Sequence, residues 1–235
     1  MGIAITLEEG DKYYFRDISW VGNTKYDTAT LNRVLGISKG DVYNQELLQT
    51  NLQYNEGGYD ISSIYMDDGY LFFNVDPVEV RVENDSIDLE IRIYEGDQAT
   101  IGKVSVKGNT KTNDHVVVRE MYTKPGQLFS RSDVIRTTRE LAALGYFNAE
   151  TLNPEIKPDP TDGTVDIEYV VEETSSDQIE LSAGWGYNKL ILTLGLTLNN
   201  FSFKNMFKKG AWTPIPGGDG QKLSLRVQTY GRQYI

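Results

Sequence analysis

The chain has 235 residues, of which 39% are hydrophobic, and its net charge at pH 7 is −11. This acidic balance argues against binding to nucleic acid, whose phosphates attract basic surfaces, and no run of about 18 apolar residues is present to form a membrane-spanning helix. Cysteine is absent, which excludes disulfides, thiolate metal sites and cysteine nucleophiles.

An internal repeat organises most of the sequence. The segment Val21-Gly22-Asn23-Thr24-Lys25 recurs as Lys107-Gly108-Asn109-Thr110-Lys111 at an offset of 86 residues, and Gly69-Tyr70-Leu71-Phe72 recurs as Gly145-Tyr146-Phe147 at an offset of 76. The first copy therefore holds ten extra residues, which we place near residues 55–58. We predict two related modules, at residues 11–96 and 97–174.

Both copies have the predicted order β-α-α-β-β. An alternating strand ends at the Gly-Asn-Thr loop, because glycine and asparagine tolerate turn dihedrals. In the first copy Asp27 is the predicted N-cap of a helix that ends before Gly36. In the second copy Asn113 or Asp114 caps a helix that runs through Met121.

The second helix is clearest in the second copy, where Ser130 is its predicted N-cap and Gly145 its C-terminal stop. Its core-facing stripe is expected at Val134, Thr138, Leu141 and Leu144. In the first copy we expect the ten extra residues to interrupt this helix and a second piece to run over residues 61–68.

Each copy closes with a hairpin whose first strand contains a proline, Pro77 or Pro154. Proline cannot donate to a sheet ladder, so these strands belong on an edge and the last strand in the centre. The result is an α+β module with a three-stranded mixed sheet and two helices on one face. The open edges are predicted over residues 73–80 and 150–156, with Phe73, Asn74, Val75, Val78, Val80, Glu150, Leu152 and Ile156 as candidate binding residues.

After residue 174 the pattern changes to long strands that alternate apolar with polar or glycine residues. Such strands are typical of antiparallel membrane β-barrels, although a soluble sheet with one buried face gives the same alternation. Because a barrel needs at least about eight strands, residues 175–235 are predicted to be the start of an incomplete barrel, and the chain to be a piece of a longer protein. The first barrel strand is predicted to carry Ile179, Leu181, Ala183, Trp185 and Tyr187.

Chemical motifs are weak. His115 is the only histidine, so no catalytic triad or histidine-rich metal site can form around it. The glycine-rich stretches lack the spacing of dinucleotide or phosphate loops, and residues 159–163 are better explained as a hairpin turn than as a calcium site. We expect no catalytic residue, no cofactor, no metal ion and no enzyme activity.

These features carry a family resemblance. Tandem β-α-α-β-β modules with Gly-Asn-Thr after the first strand, and Asp-Gly-Tyr-Leu or Leu-Gly-Tyr-Phe before the hairpin, resemble POTRA domains. A POTRA pair followed directly by Ile179-Glu180-Leu181-Ser182-Ala183-Gly184-Trp185-Gly186 is similar to the BamA family of outer-membrane protein assembly factors, in the outer-membrane insertase superfamily. The stretch Leu198-Asn199-Asn200-Phe201-Ser202-Phe203-Lys204-Asn205-Met206-Phe207 strengthens the likeness.

The resemblance implies the location and partners. The modules would be the last two POTRA domains, in the periplasm of a Gram-negative cell, with the barrel in the outer membrane. Their partners would be nascent outer-membrane proteins as clients, accessory periplasmic or lipoprotein subunits, and no nucleic acid. The alternative in the same superfamily is a transporter of one dedicated substrate, of the two-partner secretion type; a soluble adaptor is a further alternative.

The mechanism we expect is β-augmentation, in which an extended client segment adds to an open module edge through main-chain hydrogen bonds. The first barrel strand is a second candidate, as a template for incoming strands at an open seam.

Overall fold

The structure is a computed structural model that describes residues 11–55, 57–159, 161–186, 189–209, 212 and 215–230. It contains α+β modules followed by an antiparallel sheet. One compact unit comprises the described residues up to Thr100 together with Gly126–Ser132 and residues 161–164. The other comprises Ile101–Pro125, Asp133–Asp159 and the described residues from Val165 onward.

The first module follows the predicted element order. The side chain of Asp27 accepts a hydrogen bond from the Thr30 N–H at 3.0 Å, and Gly36 ends the first helix in the left-handed conformation. The predicted interruption of the second helix is confirmed, because buried Asp60 starts a separate piece. The elements are β1 (Tyr14–Val21), α1 (Thr28–Leu35), α2 (Gln45–Gln53), α3 (Ile61–Met66), β2 (Asn74–Glu83) and β3 (Ser86–Tyr94).

The sheet of the first module has the order β1-β3-β2, with β1 parallel and β2 antiparallel to the central strand. The predicted order is therefore confirmed. Asn84 and Asp85 join β2 to β3 with positive φ angles of 48° and 57°, as a tight hairpin turn requires. One core is formed by the sheet and all three helices, and its most buried members include Phe15, Leu31, Leu35, Leu48, Leu52, Ile61, Tyr65, Leu89 and Ile91.

The second module repeats this order as β4 (Thr100–Lys107), α4 (Asp114–Val118), α5 (Arg131–Ala143), β5 (Asn153–Asp159) and β6 (Thr164–Val170), with sheet order β4-β6-β5. Two details of the prediction are wrong. The first helix ends at Val118 rather than Met121. The buried stripe of α5 is Val134, Thr137 and Leu141. Thr137 rather than Thr138 faces the core, and Leu144 lies beyond the end of the helix and is half-buried.

The tail forms an open antiparallel sheet, in the order β7-β8-β9, from β7 (Gln178–Gly186), β8 (Lys189–Phe201) and β9 (Gln221–Tyr230). A one-turn 3-10 helix, Asn205–Phe207, lies between β8 and β9. The register places apolar residues opposite one another, for example Leu181 opposite Leu194 and Leu194 opposite Val227. None of the helices in the described ranges has the length and hydropathy needed to cross a membrane.

Candidate functional site

The first predicted edge, β2, lies on the outside of its sheet, and no described strand pairs with its outer side. Its Pro77 lies opposite Ile91 and can donate no hydrogen bond inward, so we infer that Pro77 belongs to the outward-directed set of residues. In an antiparallel strand alternate residues share a direction. The outward N–H donors near it are therefore those of Val75 and Glu79.

Side chains along β2 divide between core and solvent. Val75 is buried, so only its backbone is available to a partner. Phe73 is buried too, but it precedes β2 and its N–H donates to the Tyr70 carbonyl at 3.1 Å, so it is wrong as a member of the edge strand. Val80 is 52% exposed and lies at a register shift between Glu79 and Arg81, a β-bulge that limits uncontrolled pairing. Asn74 is exposed and Val78 is half-buried. The edge thus presents main-chain groups together with exposed polar, charged and aliphatic side chains.

The second predicted edge is shifted by three residues, because β5 begins at Asn153 and ends at Asp159. Glu150 lies in the preceding turn, where its N–H donates to the Asn148 side chain at 3.1 Å, and Leu152 is buried. Those two residues are therefore wrong as members of an edge strand. Ile156 does lie on β5 and is 39% exposed.

Two prolines, Pro154 and Pro158, lie in β5. Because alternate residues of a strand direct their main-chain groups to the same side, Pro154, Ile156 and Pro158 form one set. Since proline cannot donate a hydrogen bond to the neighbouring strand, we infer that the main-chain groups of these three residues are directed to the outer side, where only Ile156 has an N–H donor. The outer edge of β5 is therefore a poorer template for an added strand than that of β2.

The predicted first barrel strand, β7, is an edge strand whose apolar side chains are strongly exposed. Ile179 is 78%, Leu181 80% and Trp185 74% exposed, and Ala183 lies on the same face. Tyr187 falls outside the described residues. Leucines of β8 and apolar residues of β9 continue this face across the sheet, and a contiguous apolar surface of this kind marks an interaction site for protein or membrane.

The Gly-Asn-Thr loop is built in the same way in both modules. Gly22 and Gly108 have φ angles of +91° and +104°, and a Cβ there would lie 2.2 Å from the Ile93 carbonyl oxygen or 1.9 Å from that of Val171. Only glycine allows the loop to approach the central strand so closely.

A carboxylate beyond each central strand holds the loop. Glu95 accepts hydrogen bonds from the N–H groups of Thr24 and Lys25 at 2.7 and 2.8 Å. Glu173 accepts from the N–H groups of Lys111 and Thr112 at 2.8 and 2.6 Å, and from the Thr110 hydroxyl. Reasoning from the sequence missed this pairing, although an acid at a similar place in each copy was a usable signal.

The electrostatics of these two acids follow from the same contacts. Burial disfavours the charged form of Glu173, but the hydrogen bonds from Thr110, Thr112 and Lys111 outweigh it and lower the pKa of its carboxyl. For Glu95, burial is likewise outweighed by bonds from Lys25 and Thr24, and its pKa is also lowered. Both carboxylates are therefore built to act as anions.

The second module also contacts the tail sheet, at a surface that we name the module–sheet joint and define by Thr112, Asn113 and Tyr146 on one side and Asn199, Asn200 and Gly217–Gly220 on the other. The Asn113 N–H donates to the Gly218 carbonyl at 2.9 Å, and its side-chain amide donates to Asp219 at 2.8 Å. The Asn200 amide donates to the Thr112 hydroxyl at 2.8 Å. The Tyr146 hydroxyl lies 2.8 Å from the carbonyl oxygen of Asn199.

Steric fit adds to this joint. Gly218 has a φ of +114°, and a Cβ there would lie 2.5 Å from the Lys111 carbonyl oxygen. The Asp219 carboxylate accepts from the hydroxyl of Ser202 as well as from Asn113, and these bonds, the Ser202 bond above all, lower its pKa. The His115 Nε2 lies 3.7 Å from an oxygen of the same carboxylate. In the described ranges no three His, Asp or Glu side chains gather as a metal ion requires.

Comparison with known proteins matches most of the chain to one family. The family profile described as "POTRA: Surface antigen variable number repeat" matches residues 13–96 and 99–174. Among curated proteins, the outer membrane protein assembly factor BamA of Neisseria meningitidis serogroup B is 26% identical over 208 residues, covering 84% of this chain and 24% of that protein. BamA of Neorickettsia risticii is 28% identical over 208 residues, covering 87% of this chain and 26% of that protein.

Solved structures show the same fold. BamA from Haemophilus ducreyi lacking POTRA domains 1-3 aligns with a TM-score of 0.72 at 24% identity, covering 93% of this chain and 37% of that one. POTRA3-5 of Haemophilus influenzae BamA aligns with a TM-score of 0.58 at 22% identity, covering 68% of this chain and 61% of that one. The chain spans about a quarter of the length of the curated relatives it matches.

Proposed function

Because this chain belongs to the POTRA family, we propose that it is the membrane-proximal part of an outer-membrane protein assembly factor. In this proposal two POTRA modules lie in the periplasm of a Gram-negative cell and the tail begins a barrel in the outer membrane. The observation that carries it is the exposed apolar face of β7, β8 and β9, joined through hydrogen bonds to a POTRA module. The names of the curated relatives point to the same role.

The modules bind polypeptide and do not catalyse a reaction. An unfolded β-barrel client, or an extended segment of an accessory periplasmic or lipoprotein subunit, adds to the outer side of β2. The Val75 and Glu79 N–H groups and the carbonyls beside them supply main-chain hydrogen bonds that read no client sequence. This suits a protein with many clients. The edge of β5 contributes less, because its outward set holds two prolines.

Photo-crosslinking of the full-length protein to an unfolded outer-membrane protein tests this mode. We expect Glu79→Pro to reduce crosslinking at β2 by about fivefold or more, since losing one net hydrogen bond costs about 1 kcal/mol. Glu79→Ala is the matched control, because it also removes the 2.6 Å contact with the Tyr43 hydroxyl but keeps the backbone N–H. Ile156→Pro, compared with Ile156→Ala, should have a smaller effect. Equal crosslinking in Glu79→Pro and Glu79→Ala would rule out augmentation at β2.

The outer edge of β7 is the second binding element in this proposal, as the template for an incoming strand. The chain lacks cysteine, so a disulfide between Ser182→Cys and a cysteine in a client strand reports direct pairing. We expect such disulfides on β7 during assembly and none from Lys103→Cys, on the second module, as the control. Failure to form any with a stalled client would argue against the seam.

Depletion of the full-length protein distinguishes an assembly factor from a transporter of one dedicated substrate. An assembly factor should lower the levels of many outer-membrane proteins together. Loss of one secreted protein, with the others unchanged, would favour instead a transporter of a dedicated substrate.

A further inference from the structure

The connection between β8 and β9 gathers exposed aromatic and basic side chains on one turn. Phe203 is 58%, Phe207 73% and Trp212 57% exposed, and the Phe203 and Phe207 rings meet edge to face at 5.3 Å. The indole N–H of Trp212 donates to the Met206 carbonyl at 3.2 Å, which brings the third ring to the same turn. We name this the aromatic–lysine turn and define it by Phe203, Lys204, Phe207, Lys208, Lys209 and Trp212.

Hydrogen bonds of two polar residues, Ser202 and Asn205, stabilise the main chain of the turn. The N–H of buried Ser202 donates to the Pro216 carbonyl at 2.9 Å, and its hydroxyl accepts from the Asn205 N–H at 3.0 Å. The Asn205 side chain donates to the Gly217 carbonyl at 3.1 Å. With its main chain fixed in this way, the turn presents its rings outward at little further cost in conformational entropy.

Charge sets this part of the chain apart. Residues 181–218 contain four lysines and no aspartate or glutamate, in a chain whose net charge is −11. Three of these lysines belong to the turn and all three are exposed. A local excess of cations beside exposed aromatic rings fits a surface that is anionic and apolar at once.

The turn lies at a defined end of the tail sheet. Gln178, where the chain enters β7 from the second module, pairs with Thr197 near the end of β8, and the turn follows Phe201 at that same end. On the proposed function, on which this step rests, strands β7 to β9 cross the outer membrane. The module end of the sheet then lies at the periplasmic surface of the bilayer.

We propose that the aromatic–lysine turn is an anchor for anionic phospholipid at the periplasmic surface of the membrane. Phe203, Phe207 and Trp212 enter the headgroup region, where aromatic side chains are favoured, and the three lysines contact lipid phosphates. The anchor fixes the level of the sheet in the bilayer, and through the module–sheet joint it fixes the second module at the membrane surface.

Vesicle flotation of the chain tests this. The probes are vesicles of phosphatidylethanolamine and phosphatidylglycerol at 7:3, and neutral vesicles of phosphatidylcholine. We expect binding to the anionic vesicles to be at least tenfold stronger, because each lysine near an anionic surface contributes roughly fivefold. The triple variant Lys204→Gln, Lys208→Gln, Lys209→Gln should lose this preference. Its matched control, Lys12→Gln, Lys39→Gln, Lys124→Gln, changes net charge equally and should retain it.

Two further variants separate the anchor from the sheet. Phe203→Ala, Phe207→Ala, Trp212→Ala together should weaken binding to both vesicles while hydrogen exchange in the second module stays unchanged. Leu181→Asn with Val227→Asn should weaken binding to both but leave the anionic preference intact, so failure of the barrel assignment is distinct from failure of the anchor. An anionic preference that survives in the lysine variant, or equal binding of the unaltered chain to both vesicles, would overturn the proposal.

Discussion

The two modules carry the same loop and use it differently. In both, a glycine with positive φ lets the loop approach the central strand, and a carboxylate from beyond that strand binds the loop N–H groups. The copies diverge at the N-cap residue of the helix that follows the loop. Asp27 caps its own helix, whereas Asn113 makes no side-chain cap and donates instead to Asp219 of the tail.

This difference separates the shared frame of the repeat, formed by the loop glycine and the carboxylate, from the N-cap position, which is free to acquire a partner. The glycine permits the close approach of the loop and the carboxylate satisfies the loop N–H groups, so both recur. The cap residue has a side chain that an exposed helix end does not strictly require, because water can satisfy the same N–H groups. Replacing a capping carboxylate by an amide donor converts a helix end into a contact for a neighbouring acid.

The largest loss of stability is expected at the two loop glycines, where the loop lies closest to the chain beside it. Gly108→Ala and Gly22→Ala place a Cβ 1.9 and 2.2 Å from a carbonyl oxygen, so each should cost about 4 kcal/mol in the free energy of unfolding of its module. Urea unfolding in detergent micelles, with hydrogen exchange peptide by peptide, measures this. Gly126→Ala is the control, because its φ is +84° but no atom lies within 4 Å, and about 1–2 kcal/mol is expected. Equal costs at Gly126 and Gly108 would show that φ, and not the close approach, matters.

The carboxylates come next. Glu173→Gln and Glu95→Gln keep the shape but remove the charge, and each should cost about 2 kcal/mol, as expected for hydrogen bonds to an ionised group. The two substitutions should differ in how far from the loop their effects extend. Glu173→Gln should also raise hydrogen exchange at residues 215–220, because the loop that it holds contacts Asn200 and Gly218. Unchanged exchange there would mean that the joint does not depend on the loop.

The sequence predicted the frame well because its signals are local or repeated. Proline positions gave the sheet order, Asp27 and Gly36 gave the bounds of α1, and the offset between copies located the interruption after α2. The joint was missed for a physical reason: Asn113 and Asp219 are 106 residues apart, and neither has a distinctive sequence context. Likewise nothing local indicates that Glu150 lies in a turn.

A smaller loss of stability is expected at the N-cap position, and it tests directly whether the two modules use this position differently. Asn113→Asp should cost about 1 kcal/mol, because it replaces a donor to Asp219 with a second carboxylate. Protection of residues 215–220 from hydrogen exchange should fall while α4 remains formed. The matched change Asp27→Asn should cost under about 0.5 kcal/mol, since the two residues are similar as N-caps. A loss at Asp27 as large as at Asn113 would mean that the two positions have not diverged.

The smallest effect is expected in the pH dependence, because both loop carboxylates retain contact with solvent, which screens them. Their pKa values are lowered from the ordinary 4.5, so the folded state binds fewer protons than the unfolded state near that pH. The stability that they contribute is therefore fully present above about pH 4.5 and is lost as pH falls through the lowered values. The double variant Glu95→Gln, Glu173→Gln should show a flatter decline in unfolding free energy below pH 4.5 than the unaltered chain. Parallel curves would place the acid sensitivity elsewhere, with Asp219 the next group to test, because its pKa is lowered from 3.8 by the hydrogen bond from the Ser202 hydroxyl and, less strongly, by that from Asn113.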